Sequence, residues 1–591
     1  MTGGAAADLP PIRHNDYSPL DPPALGAWDP ELSVSVIIPA RGGQHRLDLT
    51  LASLAAQTYP DHLMEVIVVD DGSEPPLRLP EIVPRDTRLV PTDPSGWGIA
   101  HAVNTGAALA DGRIIQRLDA DMVVCREHIE ALARWHHLAG YLVAIGAKKF
   151  VEEPSLTAAQ VHDGVRAGRL EAVFDLADAL PSSTEQTISR TNGLRASRNP
   201  YHVCTGPTMS MRREIFRAVG GVDAEVLRGE DTEFAYRLAA HGVVFIPDMK
   251  AQAVHLGLPA QRRDRQRAVR VVAPYLAHRV PLRRDLRKDR GRHWLVPYVE
   301  VVLGAEGPEE QVREAVGAAL DGSLGDVVVT LVAPWSKLSA ERRPVLDDPL
   351  FDLRLLREHF AHDERVRFAD EVSATPAPIP FRYTGPASVP LGRDSLERMI
   401  AAMQDDRSGM LVVDLGADGE ATLERTEALG RARLLGADDD AAVAAAVRAT
   451  HGVRRGARPE FWPAEAAPPR SVLAPPAGSG PRTEERAAGG ETGHRAGPAA
   501  PGPGWVEHAP RQAPYLPQEL TRTVAVEGAQ GHSSTGAPPG PEGTPIVGGF
   551  DGSGRFAGGV THCPGTIRAA DEKRGSWSSL GAVDGRRAGD R

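Results

Sequence analysis

The sequence predicts an α/β protein with a mainly parallel sheet, followed by a second, degenerate α/β half and a disordered tail. Two observations support this prediction. Short β-branched runs alternate with segments of helical apolar spacing over residues 32–260, which is typical of a parallel sheet covered by helices. Acidic residues follow several of these runs, and ligands of such sheets bind at the carboxyl ends of the strands.

Length and charge limit the class of protein. The chain has 591 residues, too many for one core, and its net charge of −11 argues against a general nucleic-acid binder. Its three cysteines, Cys125, Cys204 and Cys563, form no C-x-x-C pair, which fits a reducing compartment. No apolar run reaches the about 18 residues that span a bilayer. We therefore expect a cytoplasmic protein without a transmembrane segment; peripheral attachment to the inner face of a membrane stays open.

The first half begins after an irregular lead-in, residues 1–31. The apolar spacing predicts these elements in order: strand 34–38, helix 47–57, strand 65–69, strand 88–90, helix 98–110 and strand 113–118. Residues 150–200 are more polar and less regular. The remaining elements follow as helix 214–219, a helix from residue 230 to residue 240, and strand 243–246. We expect one domain over residues 32–260.

A basic connector follows at residues 261–296, for which we expect a solvated helix; contact with anionic lipid or a phosphorylated acceptor stays open. Residues 297–455 then repeat the strand and helix order of the first half. From residue 456 to residue 591 the chain is rich in Pro, Gly, Ala and Arg without apolar periodicity, so we expect disorder.

The repeat is visible in one gapless alignment. Residues 113–134 fall on residues 410–431 at a constant offset of 297, which places Asp121 on Asp418. Asp119 falls on Gly416, so the second copy lacks the first carboxylate. We therefore predict an internal duplication whose second half is degenerate and serves packing, dimer contacts or substrate presentation.

The sequence Asp119-Ala120-Asp121 follows an apolar run, and its two carboxylates are spaced to turn toward one point. Hard oxygen ligands placed in this way suit a divalent cation that also holds phosphate oxygens. A solvated turn is the alternative interpretation. A second acidic pair, Glu230-Asp231, opens a predicted helix, where it either acts on a substrate or complements the helix dipole.

Four motifs occur in a characteristic order: Pro39-Ala40-Arg41, Asp70-Asp71-Gly72-Ser73, Asp119-Ala120-Asp121 and Gly229-Glu230-Asp231-Thr232. Together they resemble a family 2 glycosyltransferase with the Rossmann-like GT-A fold, over about residues 33–258. The resemblance implies inverting transfer of a sugar from a nucleotide-sugar donor, with UDP as the usual nucleotide. It also implies that the second half is a degenerate GT-A-like domain.

The resemblance assigns the metal and the base. Asp121 is the expected direct ligand of Mn²⁺ or Mg²⁺, and Asp119 contacts the ribose or the metal through water. His255 is either a third metal ligand or a structural histidine. Asp231 is the expected base on the acceptor hydroxyl, with Glu230 orienting the acceptor.

The nucleotide pocket is expected at the first two strand ends. Asp71 accepts from the base or a ribose hydroxyl, Asp70 supports it, and Pro39, Ala40 and Arg41 line the same pocket. The alternatives are a turn role for the Asp-Gly-Ser sequence and a surface position for Arg41.

Two other functions stay open beside a metal-dependent inverting glycosyltransferase. A nucleotidyltransferase also places carboxylates at strand ends around a metal, and a non-catalytic pseudo-glycosyltransferase partner is suggested by the degenerate half. The acceptor is a carbohydrate, a lipid-linked molecule or a small molecule that the sequence does not identify. A homo-oligomer through the second half is a further hypothesis.

Overall fold

The computed structural model describes residues 10–153, 155–174, 176, 179–204, 206–257, 265–289 and 292–463. Two sheets, each covered by helices, make up this part of the chain. The predicted α/β class is confirmed. The first sheet is mixed rather than mainly parallel, because β-strands after the fourth run in both directions.

The first sheet contains nine of the described strands. They are β1 (Val34–Ala40), β2 (Met64–Asp70), β3 (Asp86–Pro91), β4 (Ile114–Arg117), β5 (Met122–Val124), β6 (Leu142–Val151), β7 (Leu180–Pro181), β8 (Met209–Arg212) and β9 (Val244–Leu256). The accompanying helices are α1 (Gln44–Leu54), α2 (Ile99–Leu109), α3 (His128–His136), α4 (Ala158–Arg166), α5 (Leu170–Val173), α6 (Ser183–Arg190), α7 (Arg213–Ala218), α8 (Glu230–Ala240) and α9 (Arg265–Arg279).

The strand order of the first sheet is β3-β2-β1-β4-β8-β6-β9-β5, with β7 added to β6. β1 is buried along its whole length, which explains its mainly apolar sequence around Ser35. The strands β3, β2, β1 and β4 are parallel, so the ends of β1, β2 and β4 meet at one edge. β9 returns antiparallel to β5 and pairs His255 with Met122. The predicted site residues therefore gather at one edge of the sheet.

The second sheet contains seven described strands. They are β10 (Val299–Gly304), β11 (Val327–Val332), β12 (Val366–Ala369), β13 (Phe381–Gly385), β14 (Met410–Asp414), β15 (Glu420–Arg425) and β16 (Val453–Ala457). The helices are α10 (Glu309–Leu320), α11 (Phe351–Phe360), α12 (Ser395–Asp406), α13 (Thr426–Leu434), α14 (Asp440–Thr450) and α15 (Arg458–Phe461).

The second sheet repeats seven positions of the first. Its order, β12-β11-β10-β13-β15-β14-β16, matches β3-β2-β1-β4-β8-β6-β9 in chain connectivity and in the direction of each neighbouring pair. The gapless alignment of residues 113–134 with residues 410–431 is wrong in register, because it lays β4 on β14. β13 is the strand that lies parallel beside β10, as β4 lies beside β1.

When β13 is aligned with β4, the second sheet has no counterpart of the acidic pair Asp119 and Asp121. After β13 the sequence continues as Pro386-Ala387-Ser388, where the first half has Asp119 and Asp121 after β4. The alignment failed because short strand–turn–helix segments rich in alanine resemble one another locally. Strand pairing is a long-range property that such segments do not encode.

The two sheets pack closely where the end of α8 meets α13. Gly242 has a φ of 94°, and a Cβ at this position would lie 2.1 Å from the backbone N of Arg431. Only glycine permits both this conformation and this approach. The buried guanidinium of Arg431 donates to the carbonyl of Gly242, and to the carbonyls of Val243 and Ile12 at 3.0 Å each.

The predicted lead-in is irregular from residue 10, but it packs into the core. Ile12 and Tyr17 are buried beside the first sheet, and the Asn15 amide donates to the carbonyl of Phe245 at 2.8 Å. No helix within the ranges given above is both long and apolar enough to cross a bilayer.

The folded chain also continues past the predicted boundary at residue 455. β16 ends at Ala457, and Phe461 is buried with its carbonyl accepting from Ser395 Oγ at 2.8 Å. Helix α9 lies within the predicted connector. Residues 464–591, which hold most of the predicted tail, lie outside the described residues.

Candidate active site

The loop after β2 is held together by Asp70. Its Oδ1 accepts from the amide of Ser73 at 2.8 Å and its Oδ2 from the amide of Leu77 at 3.0 Å. Ser73 Oγ accepts in turn from the amide of Gly42 at 2.7 Å. Asp70 thus supports the loop, and Ser73 ties it to the loop after β1.

Asp71 lies at the junction of these loops with α2. Its amide donates to the carbonyl of Ala40 at 2.8 Å, and its two carboxylate oxygens accept from the amide of Gly98 at 3.1 and 3.0 Å. Gly98 has a φ of 95°, which favours glycine. Pro39 is buried beside Ala40, whereas Arg41 is exposed. The residues predicted to line the nucleotide pocket therefore lie next to one another, with Arg41 on the solvent side.

Asp121 and His255, two residues of the predicted metal site, lie close together. His255 Nε2 lies 3.6 Å from Asp121 Oδ1, and its side chain is 0% exposed. Burial lowers the pKa of His255 to about 4, which leaves the imidazole neutral. Burial likewise raises the pKa of Asp121 to about 6, opposed by the charge of Arg46, whose Nη1 lies 4.0 Å from Asp121 Oδ2.

These groups fit a divalent cation. Neither ring nitrogen of His255 has a hydrogen-bond partner in the described part of the chain, and the same holds for Oδ2 of buried Asp119. A neutral imidazole and carboxylates are acceptable ligands of Mn²⁺. In the described ranges, no three His, Cys, Asp or Glu side chains stand close enough to hold a metal alone. Diphosphate oxygens would have to complete the ligand set.

The second acidic pair begins α8 and is buried. Glu230 is 5% exposed and Asp231 is 4% exposed. Burial, and then the charge of Asp231, raise the pKa of Glu230. Asp231 Oδ1 accepts from the amide of Thr232 at 2.7 Å. Both residues stand at a helix N-terminus, but their burial among charged groups exceeds what dipole complementation requires.

Arg117 is a site residue that the sequence reading missed. Its Nη2 lies 3.4 Å from Asp119 Oδ1 and 3.2 Å from Glu230 Oε1, so one guanidinium joins both acidic motifs. The side chain is buried, and a Cβ on Gly206 would lie 2.2 Å from its Cζ. The signal was present: Arg117 precedes Asp119 by two residues, and arginine in a buried strand is rare.

Lys148 on β6 is the second missed residue. It is 4% exposed, and burial lowers its pKa against the opposing charges of Asp119 and Asp231. Lysine is scarce in this arginine-rich chain, which was the available signal. Two buried cations, Arg117 and Lys148, thus offset part of the charge of three buried carboxylates, Asp119, Glu230 and Asp231.

Residues 201–207, which precede β8, are described except for residue 205. It begins with a short helix at Pro200–Val203. Cys204 is buried, with its Sγ 4.0 Å from the sulfur of Met209. Burial raises the pKa of the Cys204 thiol well above its ordinary range, so it stays protonated and is a poor nucleophile.

Comparison with curated proteins finds sugar-transferring relatives. The chondroitin synthase of Escherichia coli is 25% identical over 361 residues, which is 57% of this chain and 50% of the relative. That of Pasteurella multocida (strain Pm70) is 26% identical over 324 residues, 51% of this chain and 33% of the relative. The validoxylamine A glucosyltransferase of Streptomyces hygroscopicus subsp. limoneus is 28% identical over 242 residues, which is 37% of this chain and 51% of the relative. The chain spans a third to a half of these relatives' lengths.

Among solved structures, the mannosyltransferase PcManGT from Pyrobaculum calidifontis, in complex with GDP-Man and Mn²⁺, is 18% identical. The match covers 44% of this chain and 68% of that chain, with a TM-score of 0.29. The family model described as Glycosyl transferase family 2 matches residues 35–220. This range holds the nucleotide-pocket loops, Asp119, Asp121 and Arg117. Residues 35–220 of the chain therefore match glycosyl transferase family 2.

Proposed function

We propose that the chain is a metal-dependent, inverting glycosyltransferase that moves a sugar from a nucleotide-diphosphate donor to an acceptor hydroxyl. The observation that carries the proposal is the position of Arg117 between Asp119 and Glu230. It joins the motif expected to face the donor to the motif expected to face the acceptor, inside a family 2 domain. UDP is the nucleotide that the family resemblance implies.

The donor side is formed by Asp71, Asp119, Asp121 and His255. Asp121 and His255 would hold a divalent cation, which acts as a Lewis acid on the departing diphosphate. Asp71 would accept from the nucleoside, because its carboxylate is already fixed by the amide of Gly98. Asp119 would contact the ribose through Oδ2, the oxygen that has no partner among the residues described.

The acceptor side is formed by Asp231 and Glu230. Asp231 would take the proton of the acceptor hydroxyl. The hydroxyl oxygen then bonds the anomeric carbon of the sugar, and the bond from that carbon to the phosphate oxygen of the donor breaks. Attack opposite the leaving group inverts the configuration. Arg117 keeps Glu230 in position, and Lys148 compensates the charge of Asp231. The family match favours this reaction over nucleotidyl transfer.

We further propose that residues 297–455 form a GT-A-like domain without transferase activity of its own. Its strand order supports the shared ancestry, and Pro386-Ala387-Ser388 after β13 supports the loss of chemistry. The relatives named chondroitin synthase support a saccharide acceptor.

The test measures thermal unfolding of the whole chain with UDP, GDP or ADP, each with and without Mn²⁺. We expect one nucleotide, UDP, to raise the unfolding midpoint only when Mn²⁺ is present. Ligand at one hundred times its Kd stabilises by about 2.7 kcal/mol, enough for a clear shift. Asp121→Asn should abolish this shift.

Asp418→Asn is the matched control, because Asp418 is exposed in the second half and forms an ion pair with Arg458 at 3.1 Å. It should leave the nucleotide response unchanged. A wild-type chain that responds to no nucleotide, or an Asp121→Asn chain that responds like wild type, would refute the proposal.

A further inference from the structure

We propose that a cavity between the two sheets, separate from the nucleotide pocket, binds an acidic sugar unit. The cavity has a volume of about 250 Å³, which is room for roughly eight water molecules or one monosaccharide. Its charged lining consists of Arg198, Arg284, Arg407, Arg425 and Glu427. None of the donor- or acceptor-side residues described above lines it.

The cavity holds an excess of positive charge. Arg284 already shares Asp326 with Arg287: Asp326 Oδ2 lies 2.8 Å from Nη1 of Arg284 and 2.9 Å from Nη1 of Arg287. Three arginines then face one carboxylate, Glu427. Burial lowers the pKa of Arg407 and of Arg425; Glu427 opposes both shifts, whereas Arg198 adds to the first and Arg407 to the second. Each guanidinium therefore disfavours its neighbour, and a bound anion would relieve this repulsion.

One side of the cavity offers hydrogen-bond acceptors instead. Thr450 Oγ1 already donates to the carbonyl of Ala446 at 2.8 Å, so the Nδ1 of His451, 2.9 Å away, must donate to that oxygen. In the neutral ring, Nε2 is then an acceptor. Burial lowers the pKa of His451, which keeps the ring neutral.

This acceptor has no donor. His451 is 2% exposed, and its Nε2 lacks a hydrogen-bond partner across the described segments. Glu427 Oε1 lies 3.9 Å from it, too far for a hydrogen bond. Burial raises the pKa of Glu427, but the charges of Arg425 and Arg431 lower it, so its carboxylate is a second acceptor.

The two sides together define the ligand. Arginine guanidinium groups match carboxylate and phosphate oxygens. The acceptors, Glu427 and His451, match hydroxyl groups. A molecule that carries both an oxyanion and hydroxyls, and that fits the volume, is a sugar with an acidic substituent. A uronate and a sugar phosphate share this chemistry.

Calorimetry on the full chain in EDTA tests the proposal with glucuronate, glucose 6-phosphate, glucose and inorganic phosphate. We expect glucuronate or glucose 6-phosphate to bind at least about tenfold more tightly than glucose or phosphate. The tighter of the two shows whether the site prefers a carboxylate or a phosphate group on the sugar. Arg198→Gln and Arg407→Gln should each weaken it about tenfold, the effect of one lost charge-assisted hydrogen bond. Arg198 is exposed, so its variant should fold normally.

Two control variants separate this site from other surfaces. Arg367→Gln removes an exposed arginine of β12 and should bind like wild type. Asp121→Asn should also bind like wild type, because Asp121 belongs to the donor side. The proposal is overturned if neither acidic sugar binds, if phosphate alone binds as tightly, if both arginine variants bind normally, or if Asp121→Asn abolishes binding.

Discussion

Replacing Arg117 with methionine removes the cation that joins Asp119 and Glu230 while keeping an unbranched side chain of similar length. The two carboxylates then remain buried without their guanidinium partner. Their contacts with Arg117 are 3.4 and 3.2 Å long. We predict that Arg117→Met destabilises the folded chain, and that it does so more strongly at high pH.

The magnitude follows from these distances. Two unit charges about 3.3 Å apart attract by about 5 kcal/mol at an effective dielectric constant near 20. Desolvation of the ions offsets part of this, and breaking one buried pair costs about 3–5 kcal/mol in proteins. We expect a loss of about 3 kcal/mol in the free energy of unfolding, or roughly 6–12 °C on the scale of a domain of 150–250 residues.

The pH dependence has a definite sign. Burial and Asp231 raise the pKa of Glu230 above its unfolded value, and loss of Arg117 raises it further. A raised carboxyl pKa means that the folded state binds the proton more tightly, so folding is destabilised as pH rises. Thermal unfolding at about pH 5.5 and about pH 8.5 should therefore show a small difference from wild type at the lower pH and the full loss at the higher.

Two further variants serve as controls for the loss of charge at Arg117. Arg117→Lys keeps the charge and should recover part of the loss. Arg113→Met removes an exposed arginine whose partner, Glu214, lies 3.5 Å away, and should cost less than about 1 kcal/mol. Equal destabilisation of Arg117→Met at both pH values would refute the electrostatic reasoning and leave only a packing effect.

Three other changes have defined outcomes. Gly206→Ala places a Cβ 2.2 Å from Arg117 Cζ, so it should displace the guanidinium and lower sugar-transfer kcat at least about tenfold; unchanged turnover would contradict this packing. His255→Gln should raise the Mn²⁺ concentration for half-maximal nucleotide stabilisation by about 10–100-fold, measured by titration; an unshifted titration would remove His255 from the metal site. Gly242→Ala forces a Cβ to 2.1 Å from the backbone of Arg431 and should cost at least about 2 kcal/mol in urea unfolding; wild-type stability would exclude that approach.

The sequence predicted those elements whose local apolar pattern alone determines the secondary structure. β1 and β2 are buried on both faces, and their apolar runs predicted them to within two residues at each end. α8 begins at Glu230 and ends at Ala240, as its spacing predicted. By contrast, β8 was not predicted, and its antiparallel pairing with β4 and β6 depends on contacts between segments far apart in the chain.

In the candidate site, too, local motifs identified some residues, whereas others depend on contacts between distant strands. Asp121 and His255 were predicted on opposite sides of a long stretch of sequence, and the structure brings them to 3.6 Å. Arg117 was missed because motifs describe carboxylates, whereas their charge balance appears only when strands from different parts of the sheet are assembled. Lys148 was missed for the same reason, since β6 carries no motif of its own.

The buried side chain of Arg431, in the second half, makes the first half depend on the second for hydrogen bonds. Its guanidinium supplies the donors for backbone carbonyls of Ile12, Gly242 and Val243, which belong to the lead-in and the first sheet. Without the second half, these carbonyls would lose those donors, at about 1–3 kcal/mol for each one left buried. A half without a counterpart of Asp119 and Asp121 is therefore still needed for the packing of the first half. The second half therefore acts as a structural subunit fused to the first in one polypeptide.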